Sequence, residues 1–139
     1  MRKFFILTIL VMFFGGVIWA SDINSYDKYG KKTGSYKTNN NKTTSYDRYG
    51  KKTGYYRTNS NITTSYDRYG KKTGSYKTSG NTTTQYDKYG TKTGSFKHNS
   101  NGTTTAYDKY GRKTGSFKTD SSGKTVEYDR YGRKIGTYK

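Results

Sequence analysis

The chain contains no cysteine and no proline. Without cysteine there is no disulfide to staple a small domain, and no zinc site of ordinary ligand spacing can be built around the one histidine, His98. Aliphatic side chains are almost as scarce. Beyond Ala20 there is no Leu, one Val (Val126), three Ile (Ile23, Ile62, Ile135) and two Phe (Phe96, Phe117). Those six residues in 119 fall far below the ~20% under which a strongly charged chain reads as disordered. Acidic groups are few as well. After Ala20, nine Asp and Glu face 25 Lys and Arg, a net charge of +16. Such a balance draws a protein to anionic polymers or membrane surfaces.

The one long apolar run is at the start. Arg2 and Lys3 precede Phe4 to Trp19, and Ile18-Trp19-Ala20 lead into Ser21-Asp22, the layout of a signal peptide cleaved after Ala20. The alternative is retention as a membrane anchor, although an apolar run of 16 residues is short of the ~20 of a spanning helix. The expectation is export, to the periplasm, the cell surface or the medium, with residues 1–20 as signal and 21–139 as one domain.

What the chain has in abundance is tyrosine and repetition. All seventeen Tyr follow Ala20. The phrase Tyr-Asp-x-Tyr-Gly-x-Lys-x-Gly-x-aromatic begins at Tyr26, Tyr46, Tyr66, Tyr86, Tyr107 and Tyr128, a period of 20 or 21 residues. A fixed period in that range marks a repeat architecture whose units bury their faces against one another. In each unit Asp and Gly stand at the first and fourth places of a type I turn: Asp27/Gly30, Asp47/Gly50, Asp67/Gly70, Asp87/Gly90, Asp108/Gly111 and Asp129/Gly132. Thr, Ser and Tyr flank these turns in strand-like alternation, and Asn-, Ser- and Gly-rich loops join one unit to the next. No segment after Ala20 has helical periodicity.

The expected fold is therefore all-β: hairpin repeats in a shallow barrel or meander. Its core is expected to be built from Tyr46, Tyr56, Tyr66, Tyr76, Tyr86, Phe96, Tyr107, Phe117 and Tyr128, with a polar, basic outer face. The second glycine of each motif precedes an aromatic by two residues. A cross-strand tyrosine ring lying over it is the expected reason for its lack of a side chain. The extra residue of the fourth and fifth repeats falls in the long loops.

The phrases YDKYGRKTGSFK and EYDRYGRKIGTYK resemble the repeat of small exported bacterial proteins known as five-fold β-flower proteins, across nearly all of residues 25–139. That resemblance implies a shallow pseudo-symmetric barrel with hairpin petals, and six motifs enclosing five long loops suit a five-fold arrangement. Where the family has Ile before the second Gly, this chain has Thr33, Thr53, Thr73, Thr93 and Thr114, and Ile only at Ile135, which implies a more polar or less stable barrel interior. A weaker resemblance, over Gly123 to Arg133, is to the Tyr-Asp repeats of RHS-type surface proteins. Neither resemblance supplies a catalytic residue.

The chemistry of catalysis is hard to assemble from these residues. His98 sits among loop-forming residues, no second His or paired carboxylate stands near a Ser or Thr, and the glycine pairs open no helix that could cradle a phosphate. Glu127 and Asp129 alternate onto one strand face and read as a surface pair. Asn41, Asn61, Asn81 and Asn101 begin Asn-x-Thr sequons that hairpin turns explain equally well. No enzyme activity, cofactor or small-molecule substrate is implied. What recurs is cation with aromatic: Lys28, Lys31, Lys32 and Lys37 around Tyr29 and Tyr36, and their counterparts. Lys31, Lys51, Lys71, Arg112 and Arg133 are the candidate contacts to an anionic glycan, lipopolysaccharide, teichoic acid or, less favourably, nucleic acid. The rival expectations are a self-associating structural module, with exposed strand edges pairing between copies, and an unstructured polycation.

Overall fold

The structure, a computed structural model, describes residues 22–139. The signal-like segment 1–20 lies outside the described residues. Each Tyr-Asp-x-Tyr-Gly motif closes one antiparallel hairpin. In chain order these are β1 (Asp22–Asp27) with β2 (Lys32–Asn39), β3 (Lys42–Asp47) with β4 (Lys52–Asn59), β5 (Ile62–Asp67) with β6 (Lys72–Ser79), β7 (Thr82–Asp87) with β8 (Lys92–His98), β9 (Thr103–Asp108) with β10 (Lys113–Thr119), and β11 (Thr125–Asp129) with β12 (Lys134–Tyr138). Every strand pairs with its chain neighbours, and β1 pairs with β12, so the sheet closes into a barrel. The hairpins number six. The five-fold arrangement suggested by five long loops is thus corrected, because the first and last strands pair with each other and complete a sixth unit across the termini.

The Asp-x-Tyr-Gly turns form as their residues dictate. The Gly N–H donates to the Asp carbonyl at 3.0–3.1 Å, and the Asp N–H donates to the carbonyl four residues later at 2.9 Å. The turn glycines play the structural part that their place in the motif predicts, closing the turn in a left-handed conformation. Gly30, Gly50, Gly70, Gly90, Gly111 and Gly132 are all exposed and lie outside the strands, so none of them packs against the core. A Cβ on Gly30, Gly50, Gly90, Gly111 or Gly132 would meet no atom within 4 Å, and one on Gly70 only the Tyr55 hydroxyl at 3.5 Å. Space is therefore not the reason for glycine at these six positions. Each holds a φ of 81–88°, and the left-handed backbone that leads into the next strand is what a side chain would strain.

The loops at the other end come in two kinds. Asn40-Asn41, Ser60-Asn61 and Gly80-Asn81 are two-residue connections with positive φ at the first residue only, the II′ arrangement. The one-residue insertions at Asn99–Gly102 and Asp120–Gly123 replace these with a wider turn closed by a glycine at positive φ.

One bulge per hairpin bends the wall. The register skips Thr33, Thr53, Thr73, Thr93, Thr114 and Ile135 in turn. The residue that differs from the β-flower pattern is therefore the bulge residue, half-buried or exposed at the rim, so Thr there does not set the polarity of the interior. The second motif glycine sits beside the bulge for a reason other than the expected tyrosine ring. A Cβ on Gly34, Gly54, Gly74, Gly94 or Gly115 would lie 2.5–2.7 Å from the backbone carbonyl oxygen of Tyr46, Tyr66, Tyr86, Tyr107 or Tyr128 on the next strand. Close approach of backbone to backbone excludes any side chain.

The barrel interior is a stack of side-chain rings. Tyr36, Tyr56, Tyr76, Phe96, Phe117 and Tyr138 form the aromatic ring, all buried, with Ile23 packed against it. Towards the loop end lies a girdle of threonines, where Thr38–Thr43, Thr58–Thr63, Thr78–Thr83 and Thr119–Thr125 hydroxyls pair at 2.8–3.0 Å. These pairs satisfy threonine hydroxyls that the core must bury. His98, expected in a solvated loop, ends β8 and takes a place in this girdle, its Nδ1 3.3 Å from Thr104 Oγ1. Tyr46, Tyr66, Tyr86, Tyr107 and Tyr128 are not in the core. They alternate with the inward residues and stand half-buried on the outer wall, because the residue before each of them takes the inward place on its strand. The wall itself carries Ser, Thr, Lys and Tyr on strands of five to eight residues, shorter than the ~9–11 of a membrane-spanning strand.

A rim of tyrosine–cation pairs as the candidate functional site

The six Asp-x-Tyr-Gly turns all lie at one end of the barrel. There the Asp Oδ1 accepts N–H bonds from the residues two and four further on, at 2.8–2.9 Å in every copy. The carboxylates are occupied in holding the turn shut. At Asp108 the backbone N–H of Arg112, followed by its guanidinium, holds the carboxyl below the ordinary carboxylate range, and Arg133 does the same at Asp129.

With the turn fixed, its third residue points off the end of the barrel. Tyr29, Tyr49, Tyr69, Tyr89, Tyr110 and Tyr131 are 67–83% exposed. Each ring carries the preceding cation over its face: Lys28, Arg48, Arg68, Lys88, Lys109 and Arg130 lie 4.6–4.9 Å from the ring centroids. At Tyr110 and Tyr131 a second cation, Arg112 or Arg133, joins at 5.2 or 5.3 Å. Around the turns stand seventeen Lys and Arg against six Asp, so most of the excess charge of the folded part gathers at this rim.

The candidate contacts Lys31, Lys51, Lys71, Arg112 and Arg133 are all on this rim and exposed. They divide into two kinds. Arg112 and Arg133 are bonded to Asp108 and Asp129 at 2.7 Å, which offsets their charge locally. Among the described residues, Lys31, Lys51 and Lys71 form no ion pair. Tyr36, grouped with Tyr29 on sequence grounds, is separated from the rim cations and buried inside. The turn tyrosines, Tyr29 and its counterparts, group with the cations on sequence grounds but are not singled out there as contacts. The signal for them was present: a large aromatic at the third place of a tight turn has no core to enter.

No family model and no curated protein matches this chain.

Two features break the six-fold repetition. On the outer wall Tyr55 replaces the Ser, or in one copy Thr, of the other repeats and stacks on Tyr66 with centroids 4.7 Å apart and planes at 12°, with Lys42 and Lys52 over its ring at 4.9 and 5.0 Å. Inside the barrel, Glu127 occupies the inward position that Ser25, Ser45, Ser65, Gln85 and Ala106 hold elsewhere, and it accepts a bond from the Tyr138 hydroxyl at 2.9 Å. The surface pairing of Glu127 with Asp129 is thereby corrected. Glu127 turns inward beside Gly136, while Asp129 bonds Arg133 at the rim. Burial first, then the Glu127 charge, pushes the Tyr36 phenol up to about 12 and raises Tyr138 as well; Tyr56 is raised by burial and by Tyr76 and Tyr36.

Proposed function

We propose that this protein is an exported, non-enzymatic β-repeat barrel that adheres to anionic cell-envelope or extracellular polymers through its tyrosine–cation rim, and that it is related to the β-flower proteins its motif resembles. The observation that carries this reading is the six-fold exposure of the turn tyrosines under a cation. Folding does not require it. The turn needs Asp and Gly, whereas six large rings in water add nothing to the core and form an aromatic, cationic surface of the kind associated with binding. The placement of the termini fits the same use. β1 begins and β12 ends at the opposite pole, where Asn24 and Lys139 exchange backbone bonds at 2.7 and 3.0 Å, so both of these strand ends lie away from the rim. The self-assembly alternative relied on exposed strand edges, and in the closed barrel β1 and β12 pair with each other.

The test is binding of the purified barrel to lipopolysaccharide and heparin over a salt series. Affinity should fall steeply with salt, as bound counterions are released at each contact. Changing Lys31, Lys51 and Lys71 together to Gln should weaken binding while leaving the melting temperature nearly unchanged, because exposed charges contribute little to stability. Affinity that is flat with salt, or unaffected by the three changes, rejects the adhesion reading.

A further inference from the structure

Adhesion through the rim leaves open which polymer its geometry suits, and the pitch of the rim bears on that. Equivalent turns recur every second strand around a closed wall. At ~4.8 Å per strand and the tilt that barrel closure requires, neighbouring tyrosine–cation sites lie roughly 10–13 Å apart along the rim. Each site offers one aromatic face and one cation held against it, Lys28 on Tyr29 or Arg48 on Tyr49, with a further rim cation such as Lys31 or Lys51 beside them. The pitch matches two extended pyranose rings. It is longer than the phosphate repeat of a nucleic-acid strand, whose charges would fall between sites as often as on them.

Resting on the adhesion reading, we infer that the ligand is an acidic polysaccharide bearing its anionic group on alternate sugars. One sugar of each disaccharide lies on a turn tyrosine, and its neighbour's carboxylate or sulfate meets the adjoining cations. Successive disaccharides engage successive hairpins, and the affinity is the product of up to six weak, linked contacts. A tyrosine face accepts the apolar C–H face of a pyranose. The cation stacked on the ring is held in place before the ligand arrives, so less side-chain freedom is lost on binding.

The experiment compares hyaluronan, which has one carboxylate per disaccharide, with polygalacturonate, which has one per sugar, and with poly(dT), at matched chain length and salt. The inference expects hyaluronan to bind several-fold tighter per charge than the other two. Hyaluronan oligomers of increasing length should gain affinity in disaccharide steps on the unaltered protein. Changing Tyr49, Tyr69 and Tyr89 to Leu, with melting unchanged, should lower hyaluronan affinity by about tenfold or more, since linked sites are lost together. Affinity that simply tracks charge density, or poly(dT) binding at least as tightly per charge with quenching of tyrosine fluorescence, overturns this inference and leaves adhesion standing. Failure of all three polymers to bind overturns this inference, and failure of lipopolysaccharide and heparin to bind as well overturns both.

Discussion

Glycine carries two separate duties in each repeat, and they differ in how a substitution would act. Gly70 sits at a φ of 88° at the end of its turn, with open space around it apart from the Tyr55 hydroxyl, so what it supplies is backbone freedom. Gly74 has an ordinary φ, yet a Cβ there would meet the Tyr86 carbonyl oxygen at 2.6 Å. Gly70→Val should cost more than about 1 kcal/mol through its left-handed conformation, and Gly70→Asn distinctly less, because Asn tolerates that region. Gly74→Ala should already cost ~1–3 kcal/mol, since the obstructing atom belongs to a paired strand and cannot rotate away. Thermal unfolding of the three variants checks this. An unchanged melting temperature for Gly74→Ala would refute the close approach of the strands.

The ring of inward aromatics is the element that replaces an aliphatic core. Each ring buries on the order of 150–250 Å², which at ~25 cal/mol per Å² makes this one ring the main apolar contribution of a chain so poor in Leu, Val and Ile. Four of its six members are tyrosines, Tyr36, Tyr56, Tyr76 and Tyr138, and that choice has a consequence at high pH. Burial raises the phenols of Tyr36, Tyr56 and Tyr138 above 10, Tyr36 to about 12. In the unfolded chain these phenols lose their protons first, so stability is fully present below pH ~10 and is lost as pH rises towards 12 and beyond. Cooperative alkaline unfolding, followed by circular dichroism together with tyrosinate absorbance, should occur in that window. Tyr56→Phe should move its midpoint upward, because one raised phenol is removed while the ring is kept. An unmoved midpoint would mean that this hydroxyl does not govern the transition.

At the scale of the whole molecule, closure depends on the number of hairpins. The pairing of β1 with β12 reproduces the register of the internal hairpin junctions: Asp27 opposes Gly136 as Asp129 opposes Gly115. Deleting one complete period, residues 64–83, keeps every inward and outward assignment while leaving five hairpins to close around an aromatic ring sized for six. The shortened chain should melt at lower temperature and self-associate by size-exclusion chromatography, because a wall that fails to close exposes β1 and β12 as pairing edges. A monomer with unchanged melting would show that closure tolerates a smaller ring.

Much of this architecture was legible from the residues, and the limits of that legibility are physical. The period, the Asp-x-Tyr-Gly turns, the all-β class and the loop positions all follow from local chemistry, since each turn is satisfied within five residues of chain. The membership of Tyr56, Tyr76, Phe96 and Phe117 in the core was also readable, from alternation after the second glycine. Which face Tyr46, Tyr66, Tyr86, Tyr107 and Tyr128 would take was not. A strand with Ser or Thr on one face and Tyr on the other suggests the aromatic face as core, and only the neighbouring strands' rings, filling the interior first, send these tyrosines outward. Glu127 beside Tyr138, the carbonyl against Gly74, and the gathering of six tyrosines at one rim likewise depend on residues distant in the chain. The repeating hairpin follows from local residues alone, because a turn is a contact between near neighbours. Tertiary structure decided the number that closes the ring, set where β12 meets β1, and the side each tyrosine faces, set by the rings of the neighbouring strands.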